Sequence, residues 1–351
     1  MSLQSSIMPV KNKVTILDVA KLAGVSQGSV SRVVTGKNWV SEDLRERVEA
    51  AVKQLGFRPN ANAQGLKSQR SRAVAALVSD ISNPLHGRFL ASAEGVLSQA
   101  GYLLFVSSTH NLLDRELDLL KGYSAGRVDG LIVAHSDEGN KSLSRALKAS
   151  NLPIVFHDRD PHGIGDTVIC DHAKGAFDAT TYLASLGHRR IAVMTPPAAI
   201  RPGRERLLGY KEALSAAKVR LDERLVATVD ASDERAYEVA RTLLASVRTR
   251  PSAIICLGTR MLAGVLEACA DAGLSIPRDI SLIGIGDTDL VRLHHPPITT
   301  VRWDIEDCGR QAADLMLDRL DPARGAAGSK IQVRHAAVEL VTRGSCAPPR
   351  S

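Results

Sequence analysis

The sequence predicts an α/β protein in which a small helical module precedes a two-lobed core of doubly wound parallel sheets. From Ala73 onward, apolar runs such as "AVAALV", "VDGLIVA" and "SAIICLG" alternate with helical stretches. The spacing of roughly 25–35 residues is that of strands joined by right-handed helical crossovers. About nine such strands and 351 residues are too many for one small sheet, so two lobes are expected.

Three short helices are expected within residues 15–55. Apolar residues in "ILDVAKLA" recur with the helical period, and "QGSVSRVV" and "EDLRERVEAAVKQL" follow. The expected helix starts are Thr15, Ser26 and Ser41 as N-caps, and the expected stops are Gly24 and Gly56.

Three residues in this module occupy the constrained positions of a helix-turn-helix. Ala20 is small where two helices cross, Gly24 can take the positive φ of the turn, and Val30 can fill a small core. An ordinary helical hairpin is the alternative. In a helix-turn-helix the second helix enters the DNA major groove.

The net charge of the chain lies entirely in its first fifth. Residues 1–72 contain 12 Lys and Arg against 5 Asp and Glu, a charge of +7 that equals that of the whole chain. A solvated basic surface is the simple explanation, but a basic module on a neutral body favours a polyanionic partner.

The second helix presents few candidate DNA contacts. Gln27 can hydrogen-bond an adenine edge, and Arg32 a guanine edge or a phosphate. Ser26 and Ser31 are expected to hold phosphates near the helix N-terminus. The predicted outward-facing residues are Ser26, Gln27, Gly28, Ser29, Ser31 and Arg32.

The stretches "TILDVAKLAGVSQGSVSRVVTG" and "VSEDLRERVEAAVKQLGFRPNANAQGLK" resemble the headpiece of LacI/GalR (lactose-repressor) transcription factors. The similarity continues to about residue 343 through "VSDISNP", "RVDGLIV", "LGHRRIAVM", "RERLLGYKEAL" and "PPITTVRWD". The resemblance implies a core like the periplasmic sugar-binding proteins (type I), a homodimer, a palindromic double-stranded DNA operator and an effector, a sugar or sugar acid, in the interlobe cleft. It implies no cofactor. Its base-reading pair falls on Gln27 and Gly28, and Thr15 joins the DNA-contacting set.

The family also implies a hinge helix that forms against DNA. The matching residues are Pro59, Asn60, Ala63, Leu66 and Lys67. Leu66, the large aliphatic residue of a polar stretch, fits a wedge pushed into a minor-groove step. The alternative is that Leu66 anchors the linker to a lobe.

These patterns predict the following domain boundaries. An N-terminal arm (1–13) precedes the helix-turn-helix headpiece (14–58) and the hinge (59–72). A core (73–343) and a tail (344–351) follow. Within the core, lobe 1 is expected at about 73–168 and 302–330, and lobe 2 at about 169–301 and 331–343.

The family's effector contacts fall on Asp158 and Arg206, with Leu85 and His86 lining the ligand. At three further positions the pattern departs: an Asn-Asp pair reads Gly258-Thr259, and the first acid of an Asp-Asp pair is Gly286, before Asp287. Glycine replaces two polar side chains that contact the ligand in the family, while the arginine is retained. This combination favours a larger or anionic ligand. A neutral sugar and a cleft without ligand remain alternatives.

Other function classes are disfavoured. No apolar run reaches about 18 residues and the start lacks a signal-peptide pattern, so a cytoplasmic protein without membrane contact is expected. "GYSAG" around Ser124 matches G-x-S-x-G, but a helix precedes it and a strand follows, the reverse of a nucleophile elbow. The five cysteines and ten histidines lack metal spacing. We therefore expect neither an enzyme nor a metal site. A solute-binding protein is the alternative, against which the basic module counts.

Overall fold

The protein, here as a computed structural model, is described for residues 14–34, 40–57, 70–229, 233–321 and 330–350. The chain divides into two compact units, Met1–Ser71 and Arg72–Ser351. Among the described helices, none is both long and apolar enough to span a bilayer.

The first unit contains the three predicted helices: α1 (Ile16–Ala23), α2 (Gln27–Val34) and α3 (Glu42–Leu55). Thr15 caps α1 in a reciprocal arrangement, because Asp18 N–H donates to Thr15 Oγ1 and Thr15 N–H donates to Asp18 Oδ2 at 2.8 Å. Gly24 ends α1 at φ +65° and Gly56 ends α3 at φ +62°, as predicted. Ser41 is the N-cap residue of α3, as predicted, but its side chain makes no capping hydrogen bond.

A small apolar core holds these helices together. Val19, Val30 and Val48, one from each helix, are fully buried, and Ala20 is buried where α1 meets its neighbours. This packing confirms the constrained positions of the helix-turn-helix. Each buried valine contributes about 2 kcal/mol, which is a large share of the total free energy of unfolding of so small a domain.

The second unit contains two six-stranded sheets flanked by helices. The first sheet has the strand order β11-β5-β4-β3-β1-β2, with every pair parallel. Its strands are β1 (Ala73–Val78), β2 (Leu103–Ser108), β3 (Gly130–Val133), β4 (Ile154–His157), β5 (Asp166–Cys170) and β11 (Val333–Ala336). All residues of β1, β3, β4 and β5 are buried, as expected for strands covered on both faces.

The second sheet has the order β12-β10-β9-β8-β6-β7 and is parallel except for β12. Its strands are β6 (Ile191–Thr195), β7 (Val226–Thr228), β8 (Ala253–Cys256), β9 (Ser281–Ile285), β10 (Thr299–Arg302) and β12 (Glu339–Val341). Two lobes of doubly wound sheets confirm the predicted fold class.

Nine helices in the described part of the core connect these strands. They are α4 (Pro84–Gln99), α5 (Leu113–Ser124), α6 (Lys141–Ala149), α7 (His172–Ser185), α8 (Arg201–Ala216), α9 (Asp233–Leu244), α10 (Met261–Asp271), α11 (Asp289–Leu293) and α12 (Ile305–Leu320). Helix α12 packs closely on α4: a Cβ at Gly309 would lie 2.3 Å from the Phe89 carbonyl oxygen, so this crossing requires a glycine.

The chain passes between the lobes three times: after β5, after β10 and after β11. The predicted boundary at residue 331 was wrong, because β11 pairs with β5 in the first sheet and only β12 belongs to the second. The predicted tail at 344–351 also belongs to the second lobe. Ser345 is fully buried, and its Oγ donates to the Leu282 carbonyl and accepts from Thr299 N–H at 2.8 Å.

Candidate nucleic-acid interface and ligand cavity

The outer face of α2 carries the predicted DNA contacts. Gln27, Gly28 and Arg32 are exposed, while Ser29 and Ser31 are half-buried. Val30 faces inward, and the half-buried Val33 and Val34 pack against the same core, as predicted. Arg32 lies along the helix, where its Nε donates to the Gly28 carbonyl at 3.3 Å. An exposed arginine held at its base by such a bond can swing outward to a base edge or phosphate.

The serines at the start of α2 already have local partners. Ser26 Oγ accepts from Ser29 N–H at 3.1 Å, which confirms Ser26 as the N-cap, and lies 2.9 Å from Ser29 Oγ. The Thr15 hydroxyl donates to Asp18 Oδ2 at 2.7 Å. Phosphate contacts by these hydroxyls would therefore share or replace intramolecular hydrogen bonds. The predicted hinge contacts Pro59, Asn60, Ala63, Leu66 and Lys67 lie outside the described residues.

A cavity of about 350 Å³ lies between the two lobes of the core. It is bordered by residues that follow the carboxyl ends of strands from both sheets, where ligands bind in doubly wound folds. These residues are Ser79, Ala134, Asp158, Pro196, Gly258 and Trp303, after β1, β3, β4, β6, β8 and β10. Leu85, His86 and Arg206, predicted from the sequence, also line the cavity.

A buried hydrogen-bonded network of polar side chains connects the two lobes at this cavity. Asp158 Oδ2 lies 2.7 Å from His172 Nε2, and Arg206 donates from Nη2 to His172 Nδ1 at 3.2 Å. Arg206 also donates from Nη1 to the Leu257 carbonyl at 2.8 Å. Because an arginine can only donate, His172 Nδ1 must accept, so the proton of the neutral ring is on Nε2 and is donated to Asp158.

Burial and local charge set the protonation states of Asp158, His172 and Arg206. Burial raises the pKa of Asp158, but the neighbouring His172 and the hydrogen bonds from His172 and from Cys170 N–H more than offset this, so its pKa lies well below the usual range. Burial, together with Arg206, lowers the pKa of His172. Burial lowers the pKa of Arg206 to about 10. At neutral pH Asp158 is therefore ionised, His172 is neutral and Arg206 is charged.

A second buried arginine stands beside Asp158. Arg159 donates from Nε to the His135 carbonyl at 2.6 Å and from Nη1 to the Asp158 carbonyl at 2.9 Å. Burial lowers its pKa, whereas the carboxylates of Asp158, Glu138 and Glu116 act in the opposite direction. Arg159 was not predicted from the sequence, although it directly follows a predicted site residue at the same strand end.

Two glycines were predicted to mark lost ligand clamps, and the structure shows what occupies their space. A Cβ at Gly286, where φ is +79°, would lie 2.7 Å from Leu85 Cδ1. A Cβ at Gly258 would lie 2.5 Å from Met261 Sδ. Apolar side chains thus fill the positions where polar side chains would begin.

The predicted effector contacts Gly286 and Asp287 do not line the cavity. Gly286 is covered by Leu85, and Asp287 is engaged elsewhere: its Oδ1 accepts from Arg343 Nη2 at 2.7 Å and its Oδ2 from Arg302 Nη1 at 3.3 Å. This prediction was wrong because the two arginines hold the carboxylate within the second lobe.

Other lining residues were also not predicted, among them His157, Trp303 and Arg260. His157 stacks on Phe89 at 4.0 Å between ring centroids, and burial lowers its pKa to about 3. Trp303 meets His172 edge to face at 5.4 Å. Arg260 bridges the lobes through an ion pair with Asp80. Each ends or follows a strand, so applying the strand-end rule to every strand would have found them.

Two clusters bring potential metal ligands together, but their hydrogen bonds oppose a metal. Asp158, Cys170 and His172 lie within reach of one ion, yet Nε2 of His172 carries a proton as long as Arg206 donates to Nδ1. In the cluster of Glu138, Asp160 and His162, Arg204 Nη2 lies 2.7 Å from both carboxylates and so occupies the space between them.

The motif around Ser124 shows the order expected from the sequence. Ser124 ends α5 and precedes β3, and its hydroxyl donates to the Leu120 carbonyl at 2.7 Å. A groove of about 900 Å³ runs along α5, but its lining residues are exposed or half-buried and include no buried titratable group.

Family models match both units of the chain. One described as bacterial regulatory proteins of the lacI family matches residues 15–60, and one described as a periplasmic binding protein-like domain matches residues 180–346. The HTH-type transcriptional repressor PurR of Proteus mirabilis (strain HI4320) is 33% identical over 308 residues, which cover 87% of this chain and 90% of that protein.

Solved structures of similar architecture include regulators with ligands. The lac repressor dimer bound to operator and the anti-inducer ONPF is 28% identical, with a TM-score of 0.81 over 96% of this chain and 100% of that one. A CelR transcriptional regulator in complex with cellobiose is 29% identical, with a TM-score of 0.71 over 95% of this chain and 99% of that one.

Proposed function

Because the chain belongs to the lacI family of bacterial regulatory proteins, we propose that it is a transcriptional repressor. It binds a palindromic double-stranded DNA operator as a homodimer, and a small-molecule effector, a sugar or sugar acid, changes its operator affinity from the interlobe cavity. Such a repressor works in the cytoplasm, where its DNA lies, and uses no cofactor.

The exposed face of α2 on a basic module carries the DNA-binding part of this proposal. Gln27 offers a bidentate amide for an adenine edge, and Arg32 a guanidinium for a guanine edge or a phosphate. Gly28 adds no side chain at the neighbouring position, so Gln27 is the main reader there. Specificity then depends more on DNA shape and on the hinge, with Leu66 as the wedge.

The surface of the first sheet supports a homodimer. Strand β2 is an edge strand, and Leu103, Phe105 and Val106 on it are 65%, 45% and 42% exposed. An exposed apolar edge strand is a liability unless another chain covers it. A second copy of this chain is the partner that a palindromic operator requires. The related lac repressor structure is also a dimer.

The hydrogen-bonded network at the cavity supports effector binding. Asp158, His172 and Arg206 join elements of both lobes, so a ligand that contacts Asp158 or Arg206, which line the cavity, changes the free-energy balance between lobe arrangements. The related structures carry ligands of this general kind, cellobiose in one and ONPF in the other.

Selection of bound sites from random double-stranded DNA tests the proposal. The full-length protein should enrich one palindromic sequence, and Arg32→Ala should weaken binding to it by about 1–3 kcal/mol if Arg32 reads a base. If Arg32 contacts a phosphate, the loss should be equal on all sequences and the salt slope should fall by about one. Lys53→Ala, which removes an exposed charge from α3, is the control. Failure to enrich any sequence would refute the proposal.

A further inference from the structure

We infer that the effector carries an anionic group, a carboxylate or a phosphate, which is bound on the cavity wall formed by Arg206 and Trp303, and that His172 is the residue that positions Arg206 for it. The inference rests on the proposed function in taking the cavity as the effector site. It goes further by naming the chemical class of the ligand and the residues that select it.

The first argument is the balance of hydrogen-bond donors and acceptors on this wall. Arg206 is 7% exposed, and its Nε has no hydrogen-bond partner among the residues that the structure describes. The indole Nε1 of Trp303 is likewise shielded from solvent and without a partner within the described chain. Each buried donor left unsatisfied is costly, so a ligand that supplies acceptor oxygens here is favoured.

The nearby carboxylate of Asp158 already accepts one hydrogen bond at each oxygen. Asp158 Oδ1 accepts from Cys170 N–H at 3.0 Å, and Oδ2 accepts from His172 Nε2–H at 2.7 Å. A neutral sugar hydroxyl both donates and accepts, and a site for it usually offers both functions. This wall offers unsatisfied donors beside a carboxylate whose oxygens both have partners, which suits an anion better than a hydroxyl.

The second argument is the balance of charge. Arg206 and Arg159 are both buried in this wall, whereas Asp158 is the carboxylate that faces Arg206. Glu138 and Glu116 lie on the side of Arg159. Arg159 is compensated by three carboxylates, whereas the Nη hydrogen bonds of Arg206 go to His172 and the Leu257 carbonyl rather than to a carboxylate. A buried charge is stable only when it is paired, so the position of Arg206 favours an anion.

Two further charged residues border the cavity, Arg260 and Asp137. At the rim, Arg260 is paired with Asp80, and Asp137 is half-buried. Leu85 fills the space in which a side chain at Gly286 would begin. No side chain at Gly286 therefore brings a further carboxylate to the wall near Arg206.

His172 determines how Arg206 is presented. Its Nδ1 accepts from Nη2, while the Leu257 carbonyl accepts from Nη1, so both ends of the guanidinium are fixed. Asp158 in turn fixes the ring of His172 in the tautomer that can accept. The ring and both hydrogen bonds are buried, so the arrangement exists before the ligand arrives, as a selective site requires.

Tryptophan fluorescence of the full-length protein can test the ligand class. The chain has two tryptophans, Trp39 and Trp303, so Trp39→Phe leaves the cavity residue as the reporter. The titrants are D-galacturonate and D-glucuronate, their neutral partners D-galactose and D-glucose, and D-glucose 6-phosphate. We expect saturable binding of at least one anion and roughly ten- to hundredfold weaker binding of its neutral partner, the value of one or two charge-assisted hydrogen bonds.

The comparison of uronate with phosphate ester identifies the anionic group, and tighter binding of either one supports the inference. Equal or tighter binding of a neutral sugar would overturn it, and so would the absence of binding by every anion at millimolar concentration. The operator selected from random DNA is measured with the same protein. Operator binding without anion binding refutes this inference alone, whereas anion binding without any operator refutes the proposed repressor alone.

Variants assign the roles of the individual residues by calorimetry. Arg206→Gln should abolish the preference for the anion, and Trp303→Phe, which keeps a ring and loses the N–H, should reduce it severalfold. His172→Asn keeps an acceptor near the position of Nδ1 and can still accept from Arg206, so it should keep the preference, whereas His172→Phe should lose it. Lys211→Gln removes an exposed charge from the same helix, α8, and should change nothing. A preference that survives in His172→Phe would overturn the positioning role.

Discussion

Replacing Arg206 by methionine should abolish binding of an anionic ligand while costing the core less stability than the removal of an ion-paired buried arginine. A buried arginine that serves the fold would behave differently, because removal of one partner of a buried ion pair typically costs about 3–5 kcal/mol. The prediction for Arg206 follows from two opposing contributions that can be worked from the structure.

The first contribution favours the variant. Burial lowers the pKa of Arg206 from its ordinary value to about 10, which means that the folded protein holds this charge at a cost of about 3 kcal/mol relative to the unfolded chain. The second contribution disfavours it. Methionine leaves the Leu257 carbonyl and His172 Nδ1 without a donor, at about 1–3 kcal/mol each. The second contribution totals about 2–6 kcal/mol and the first offsets about 3 kcal/mol of it, so the free energy of unfolding should fall by no more than about 3 kcal/mol.

Urea denaturation followed by circular dichroism measures this change, and Arg159→Met provides the contrast. Arg159 faces the carboxylates of Asp158, Glu138 and Glu116, which would lose their countercharge. Its removal should therefore cost about 3–5 kcal/mol. A loss above about 4 kcal/mol in Arg206→Met, or equal losses in the two variants, would show that Arg206 is compensated within the protein and would refute the reasoning.

Three further predictions concern pH, the headpiece core and DNA reading. Burial lowers the pKa of His157 and of His135 to about 3, so these rings take up protons on unfolding below about pH 6.5. Stability should therefore decrease as the pH is lowered, by about 2 kcal/mol per ring at pH 5. The slope of the unfolding free energy against pH should be smaller in His157→Gln. Val30→Ala should cost the headpiece about 2 kcal/mol and weaken operator binding while the thermal transition of the core stays in place; a shifted core transition would contradict this. Gly28→Ala meets only Ser26 Oγ at 3.8 Å, so it should stabilise α2 by about 1 kcal/mol with the preferred operator sequence nearly unchanged, and a different sequence on repeated site selection would contradict it.

The headpiece was largely predictable because its determinants are local. Caps, stops and apolar spacing act within a few residues, and Thr15, Gly24 and Val30 took their predicted places. Ser41 shows the limit: a residue at the right position with the right backbone angle did not form the expected side-chain bond. Whether a hydroxyl turns toward an N–H is decided by competition among neighbouring groups, which a one-residue preference does not include.

The cavity was only partly predictable because its contacts depend on topology. Asp158 and Arg206 were expected, but His172 lies 14 residues from one and 34 from the other, and it meets both only because the chain changes lobes after β5. The contact between Leu85 and Gly286 likewise spans the two lobes. The wrong boundary at residue 331 has the same origin, because the sequence of a short strand such as β11 does not indicate which sheet it joins.

Operator affinity measured with and without a cavity ligand shows whether the cavity and the headpiece are coupled. The ligand is the anion that binds most tightly in the fluorescence titration, and the DNA is the site selected from random sequence. The account predicts a change in operator affinity of about 5- to 150-fold in the wild type, the usual range of coupling between two sites, and no change in Arg206→Gln. An operator affinity that stays the same when the cavity is saturated would contradict it.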